Sequence, residues 1–109
     1  LKILLEKKGA TVTTTGSGYE AIQLILNHQF DKIVCDIMLL DITGFDVIEE
    51  VRKKYTPQGI MEYFVIMTAY CSDSILKKVA SYNCPLLRKP FGNIDEALEI
   101  IMRNKNEKN

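Results

Sequence analysis

The stretch Lys32-Ile33-Val34-Cys35-Asp36, followed by Ile37-Met38-Leu39-Leu40-Asp41-Ile42-Thr43-Gly44, decides the fold of this chain. Three consecutive apolar residues, Ile33 to Cys35, predict a short strand that is buried on both faces, and the run stops at a carboxylate. Asp36 is therefore expected at the carboxyl end of that strand. In open parallel α/β sheets this edge collects ligands, because several connections and helix N-termini converge there. The alternative is that Asp36 only caps the loop or helix that follows it.

Length, charge and cysteine content limit the class of protein. The 109 residues predict one domain with a single core. Fourteen basic residues balance fourteen acidic ones, which argues against a nucleic-acid or membrane footprint spread over the surface. No apolar run approaches the roughly 18 residues of a membrane span, and no signal-peptide pattern is present. Cys35, Cys71 and Cys84 are odd in number and lack metal-ligand spacing, which is typical of a reducing cytoplasm.

Strand and helix patterns alternate along the chain. Short runs of β-branched or apolar residues predict the strands, at 10–15, 32–36, 63–67 and 85–88. Apolar residues at helical spacing predict the helices, which are the end of one helix before Gly9, one capped by Ser17, one from Gly44 to about Tyr55, one capped by Ser72 or Asp73 and one starting at Asn93. Pro57 and Gly59 are expected to break the third of these. The alternation predicts a parallel sheet with helices on both faces, and it leaves the strand order open.

Three of the predicted strands are followed by residues suited to phosphoryl chemistry: Asp36, Thr68 and Lys89. A carboxylate can attack phosphorus and form an acyl phosphate. A hydroxyl and an ammonium near the transferred group would stabilise the charge on its oxygens. Ala69 is small and leaves room beside that group, and the Lys89-Pro90 bond is of the kind that can be cis.

Each of these residues also has an ordinary explanation. Thr68 could cap a helix, Lys89 could be a solvated loop lysine and Gly44 could be a turn residue. Their joint occurrence at successive strand ends favours a common site.

With these motifs the chain resembles the receiver domain of two-component response regulators. The resemblance rests on 31–36 (DKIVCD) with Gly44 eight residues after Asp36, on 65–69 (VIMTA) and on 89–91 (KPF), with weaker support from 18–21 (GYEA). These blocks run through nearly the whole chain. Each block alone would be weak, whereas their order and spacing together are specific.

The resemblance implies a flavodoxin-like α/β fold, with a doubly wound parallel sheet of five strands in the order 2-1-3-4-5. It implies that Asp36 accepts a phosphoryl group from a histidine kinase or a phosphotransfer protein, and that Thr68, Ala69 and Lys89 bind that group. It also implies Mg²⁺, held by Asp36, by the backbone carbonyl of Met38 and by paired acids expected upstream of Leu1. The added charge would draw Thr68 inward and bias a partner-binding face. Such a domain is not an enzyme, and at most assists its own phosphorylation and dephosphorylation.

The chain also departs from the family pattern. It starts in what should be the helix after the first strand, so we expect residues 1–109 to be a single receiver domain that lacks an N-terminal piece of roughly 15 to 20 residues. The alternative is that another chain fills the gap, because a missing central strand would leave backbone groups of its neighbours unpaired. Leu40 replaces a usual proline, and Leu86 stands where many receivers carry Tyr or Phe. Tyr70 is bulky and is expected to cover the phosphoryl site and slow attack by water.

Two other functions compete with the phosphoacceptor. A pseudo-receiver would keep the fold as a protein-interaction module without magnesium or phosphorylation. A small phosphatase that uses Asp36 is a weaker alternative, because it would need a general acid and no suitable one stands beside Asp36; Asp41 lies on the loop, where a carboxylate can face solvent. For the leading hypothesis we expect a cytoplasmic domain with no direct contact to nucleic acid or membrane. Dimerisation through the last two helices is common in similar proteins, so a homodimer is a further expectation.

Overall fold

Three parallel strands form the sheet of the computed structural model, which describes residues 1–69 and 72–103. They are β1 (Ile33–Asp36), β2 (Phe64–Thr68) and β3 (Leu86–Arg88), in the spatial order β1-β2-β3. The register pairs Asp36 with Met67 and Thr68 with Arg88. The parallel sheet is therefore confirmed, and three predicted strands lie within one residue of their expected bounds.

Six helices surround this sheet in the described part of the chain: α1 (Lys2–Lys7), α2 (Gly18–Asn27), α3 (Gly44–Val51), α4 (Pro57–Tyr63), α5 (Asp73–Tyr82) and α6 (Ile94–Met102). Five of them begin at a Ser, Thr or Asn whose side chain accepts a hydrogen bond from the amide three residues on, namely Ser17, Thr43, Thr56, Ser72 and Asn93. Ser72, and not Asp73, is thus the cap of α5.

The strand predicted at 10–15 is wrong, since this segment is irregular. In the order 2-1-3-4-5 it would pair with a strand preceding Leu1, and in the described residues β1 is the edge of the sheet on that side. Backbone groups without a neighbouring strand cannot enter a ladder. Ala10 and Val12 still pack against the core. The five-strand order and the missing first strand stay predictions.

The edge position of β1 also corrects the expectation of complete burial. Only Cys35 is buried in this strand, whereas Ile33 and Val34 are half-buried. Cys35 behaves as a small hydrophobic residue, and its burial raises the pKa of the thiol to about 12. Cys35 forms no disulfide within the described residues, and Cys71 lies outside them.

Helix α4 was not predicted. The helix that starts at Gly44 ends at Val51, and Pro57 follows as expected, but Pro57 is the first residue of a new helix and not only a break. Proline fits the first helical position, where its missing N–H would be unpaired in any case. Only Ile60 is buried in α4, so the sequence of this helix has no periodic apolar pattern from which the helix could be predicted.

The sheet separates two layers of helices. Phe64 and Ile66 point into one cluster, which contains buried residues of α2, α3, α4 and α5, while Val65 points into the other, which contains those of α1 and α6. This alternation is the period of a strand covered on both faces. The described helices include none that is both long and apolar enough to cross a membrane.

Candidate functional site

The ends of the strands bring the candidate residues to one edge of the sheet. Asp36 is the last residue of β1 and pairs with Met67, which Thr68 follows at the end of β2. The amide of Lys89 donates to the carbonyl of Thr68 at 2.8 Å, directly after β3. Asp36, Thr68 and Lys89 therefore lie on neighbouring connections of the same edge.

The carboxylate of Asp36 is engaged through both oxygens. Lys89 Nζ donates to Oδ2 and forms an ion pair with it, and the amide of Met38 donates to Oδ1 at 3.0 Å. The two side chains of the ion pair are 21% and 39% exposed, for Asp36 and Lys89 respectively, so the pair can be reached from solvent. Asp36 thus caps its own loop, as the alternative interpretation expected, and also binds the lysine.

Thr68 and Ala69 occupy the adjoining connection. Thr68 is completely buried, whereas Ala69 is exposed. Thr68 is not the cap of α5, because that position belongs to Ser72. Tyr70, expected to cover the site, lies outside the described residues.

The loop from Ile37 to Thr43 carries the acceptor side of the site. The amide of Ile37 donates to the Met67 carbonyl at 3.0 Å, and Met38 and Thr43 form an antiparallel bridge across the loop. The loop closes where the amide of Gly44 donates to the Ile37 carbonyl at 2.8 Å. A Cβ atom at Gly44 would lie 2.4 Å from the carbonyl oxygen of Asp36. Gly44 is therefore required by this close approach of two backbones.

Asp41 is the residue of this loop whose role the sequence did not reveal. Its carboxylate accepts hydrogen bonds from Ser17 Oγ and from the amides of Gly18, Tyr19 and Ile42. The hydrogen bond from Ser17 and then those from the backbone hold the pKa of this carboxyl well below its usual range. A general acid needs a pKa near the working pH, so Asp41 does not suit that role. Its partners other than Ile42 are 22 to 24 residues away in sequence, which no local pattern can show.

Oxygen ligands for a magnesium ion are present in part. The described residues contain no group of three or more His, Cys, Asp and Glu side chains that could hold a metal. Mg²⁺ is, however, commonly bound through one or two carboxylates together with waters and phosphate oxygens. The Asp36 carboxylate is an oxygen ligand of this kind, and the carbonyl of Met38 stays a predicted ligand. The paired acids expected upstream of Leu1 lie outside residues 1–109.

Proteins of similar sequence include response regulators. The response regulator SaeR of Staphylococcus aureus (strain USA300) is 43% identical over 49 residues, which is 45% of this chain and 21% of SaeR. The chain thus spans about a fifth of the length of the curated relatives that it matches.

Solved structures agree with this comparison. The receiver domain of the Francisella response regulator 1452 superposes with a TM-score of 0.75 at 29% identity, over 92% of this chain and 79% of that one. A crystal structure of a Chloroflexus aurantiacus protein described as a response regulator has a TM-score of 0.71 at 24% identity, over 94% and 85%, and supports the fold alone. The family model described as the response regulator receiver domain matches residues 1–102. This chain therefore belongs to the response regulator receiver domain family.

Proposed function

We propose that this receiver domain accepts a phosphoryl group on Asp36 from a histidine kinase or a phosphotransfer protein, as part of two-component signalling. One observation carries the proposal: the Asp36 carboxylate ends its strand in an ion pair with Lys89, which arrives from another connection of the same sheet edge. A salt bridge with a purely structural role would not have to lie at the carboxyl end of the sheet. The C-terminal edge of a parallel sheet is where such folds bind their ligands.

The chemistry follows from the groups at this edge. An oxygen of the Asp36 carboxylate forms the new bond to phosphorus, while the bond from phosphorus to the donor breaks and the donor keeps that electron pair. The charge then spreads over the phosphoryl oxygens. The Lys89 ammonium is already held at the carboxylate and can stabilise that charge. The hydroxyl of Thr68, at the end of the neighbouring strand, is the second contact that we expect. Exposed Ala69 leaves space for the group.

Magnesium belongs to the same proposal. Asp36 and the Met38 carbonyl would hold the ion together with the acids expected upstream of Leu1. When bound, the ion would supply positive charge that offsets the charge of the incoming phosphoryl group. The residues of this chain position the carboxylate, through the Met38 amide, and provide the second cation, through Lys89.

The phosphoryl group would act as a switch. It adds negative charge at Asp36, and Thr68 is linked to this point through the amide of Lys89. A movement of Thr68 towards Asp36 would displace the start of α5 and so change a partner-binding face. We assign the domain a signalling role in the cytoplasm, with the phosphodonor protein as its partner and a homodimer as a further assembly.

A mass measurement tests the phosphoacceptor role. The full-length protein is incubated with acetyl phosphate and Mg²⁺, and its intact mass is compared with that of Asp36→Asn. We expect one added phosphoryl group on wild type and none on Asp36→Asn. Hydroxylamine should remove the added group, because it cleaves acyl phosphates.

Asp31→Asn is the matched control, since Asp31 is an exposed carboxylate before the start of the same strand. It should gain the phosphoryl group like wild type. If folded wild type gains no mass, the phosphoacceptor role is rejected and the pseudo-receiver becomes the better explanation. A gain that persists in Asp36→Asn would place the acceptor elsewhere.

A further inference from the structure

Helix α2 is held at both ends by residues that flank helix α3. At its N-terminus the Asp41 carboxylate, which lies before α3, receives the amides of Gly18 and Tyr19. At its C-terminus Lys54 Nζ, which lies after α3, donates to the carbonyls of Ile25 and His28 at 2.8 and 2.7 Å. Negative charge at the first end and positive charge at the second both complement the helix dipole.

At the N-terminus of α2, Asp41 and Ser17 accept the first three amides of the helix. The first two amides of α2, those of Gly18 and Tyr19, donate to Asp41 at 2.7 and 3.2 Å, and the third, that of Glu20, donates to Ser17 Oγ. Ser17 Oγ itself donates to Asp41 at 2.7 Å. Amides at this position have no partner within the helix, so Asp41 satisfies groups that would otherwise need water.

Beside these hydrogen bonds, the loop from Ile37 to Thr43, here called the acceptor loop, packs closely against the first residue of α2. A Cβ atom at Gly18 would lie 2.3 Å from Cγ1 of Ile42, so only glycine lets the loop approach the helix this far. One residue before Asp41, the amide of Leu40 donates to the carbonyl of Gly16 at 3.1 Å. The acceptor loop is thus attached to the segment around α2 by backbone, carboxylate and van der Waals contact.

The same loop orients the acceptor carboxylate. Met38 lies between Asp36 and Asp41, its amide donates to Asp36 Oδ1, and its bridge to Thr43 spans the turn that contains Asp41. A loop that is released at Asp41 would loosen this turn and, with it, the direction of the Met38 N–H.

We propose that Asp41 is a positioning residue, which orients the Asp36 carboxylate through Met38 by fastening the acceptor loop to the N-terminus of α2. This inference rests on the proposed phosphoacceptor function and deepens it. In this role Asp41 acts through the loop and is not a ligand of the phosphoryl group or of a metal. Its contribution is the restriction of Asp36 to one orientation before the phosphodonor arrives, because well-placed reactants lower the barrier that a loose carboxylate would face.

Two measurements on the full-length protein test this role. The first is the phosphorylation rate at saturating acetyl phosphate and Mg²⁺, and the second is hydrogen exchange of the Met38 amide in the unphosphorylated protein. Asp41→Ala should lower the rate by about tenfold and accelerate the exchange. Asp41→Asn keeps an oxygen that can accept the amides of Gly18 and Ile42, so it should recover much of the rate.

Lys54→Met is the matched control, because it breaks the attachment at the far end of the same helix. It should lower stability while the rate stays close to that of wild type. The inference is overturned if Asp41→Ala leaves rate and exchange unchanged, or if Lys54→Met slows the reaction as much as Asp41→Ala. If wild type itself gains no phosphoryl group, the proposed function fails, and the exchange of the Met38 amide alone decides on Asp41.

Discussion

Replacing Gly44 by alanine probes the closest contact of the acceptor site. Gly44 is the first residue of α3, and the preference of about 0.5–1 kcal/mol for alanine over glycine in a helix interior is an upper limit for a helical gain at this position. Here the new Cβ would meet the carbonyl oxygen of Asp36 at 2.4 Å and the Cα of Ile37 at 3.0 Å. Both atoms belong to the backbone, so no side-chain rotation can relieve the overlap.

The size of the effect follows from that overlap. Ordinary contacts of a Cβ atom begin at 3.4 Å, so the two backbone segments must separate by about 1 Å. Overpacking of this kind costs about 1–3 kcal/mol, which outweighs the helical gain and predicts a net loss of stability. Because the displaced carbonyl belongs to Asp36 itself, the phosphorylation rate of the folded variant should fall as well, by up to about a hundredfold.

Urea unfolding measures the first effect, and phosphorylation by acetyl phosphate measures the second. Gly92→Ala is the matched control, since a Cβ atom at Gly92 would meet no atom within 4 Å beyond its chain neighbours, and the stability of this variant should stay near that of wild type. If Gly44→Ala is as stable as Gly92→Ala, the close approach of α3 to the end of β1 is not a constraint and the reasoning is refuted.

Two further predictions concern single side chains. Lys89→Met should slow phosphorylation by about tenfold or more, because it removes the cation at Asp36. The free energy of unfolding measured in urea should change by less than about 1 kcal/mol, since the ion pair is partly exposed. An unchanged rate would contradict the role of Lys89. Burial, and then the hydrogen bond to Glu49, raise the pKa of Tyr82 from 10.0 to about 12, so the folded state keeps a proton that the unfolded state loses. Its contribution to stability is complete below pH 10 and disappears as the pH rises towards 12, and Tyr82→Phe should show a shallower loss in that range when both proteins are unfolded with urea; equal slopes would count against this.

The patterns that the sequence predicted well are local ones. Apolar runs that end at Asp36 and at Thr68 gave β1 and β2 nearly to the residue, because a strand covered by helices on both faces needs a short continuous apolar run. The starts of α2 and α6 were predicted from Ser17 and Asn93, since a cap is a contact between residues only three positions apart.

The features that escaped prediction depend on distant partners or on a neighbouring strand that the described residues do not contain. The segment 10–15 has the composition of a strand, yet a ladder needs a neighbouring strand. Helix α4 buries only Ile60 and so lacks a periodic signal. The sequence indicated only that Asp41 lies on a loop. Of its four hydrogen-bond donors, only Ile42 is near in sequence, and the tertiary fold brings the other three to it. The predicted topology placed Asp36 and Lys89 at the same edge of the sheet. Their ion pair could be identified only in the structure.

The alternation along β2 divides the interior into two compartments. Val65 and Ile66 are bonded neighbours, yet each packs into a different cluster, and the sheet backbone stands between them. Substitutions at these two positions change different packing clusters, so coupling between their effects on the free energy of unfolding is limited to shifts of the backbone that they share. An engineer could therefore repack the side that holds α1 and α6 and leave the opposite compartment untouched, with β2 as the common wall.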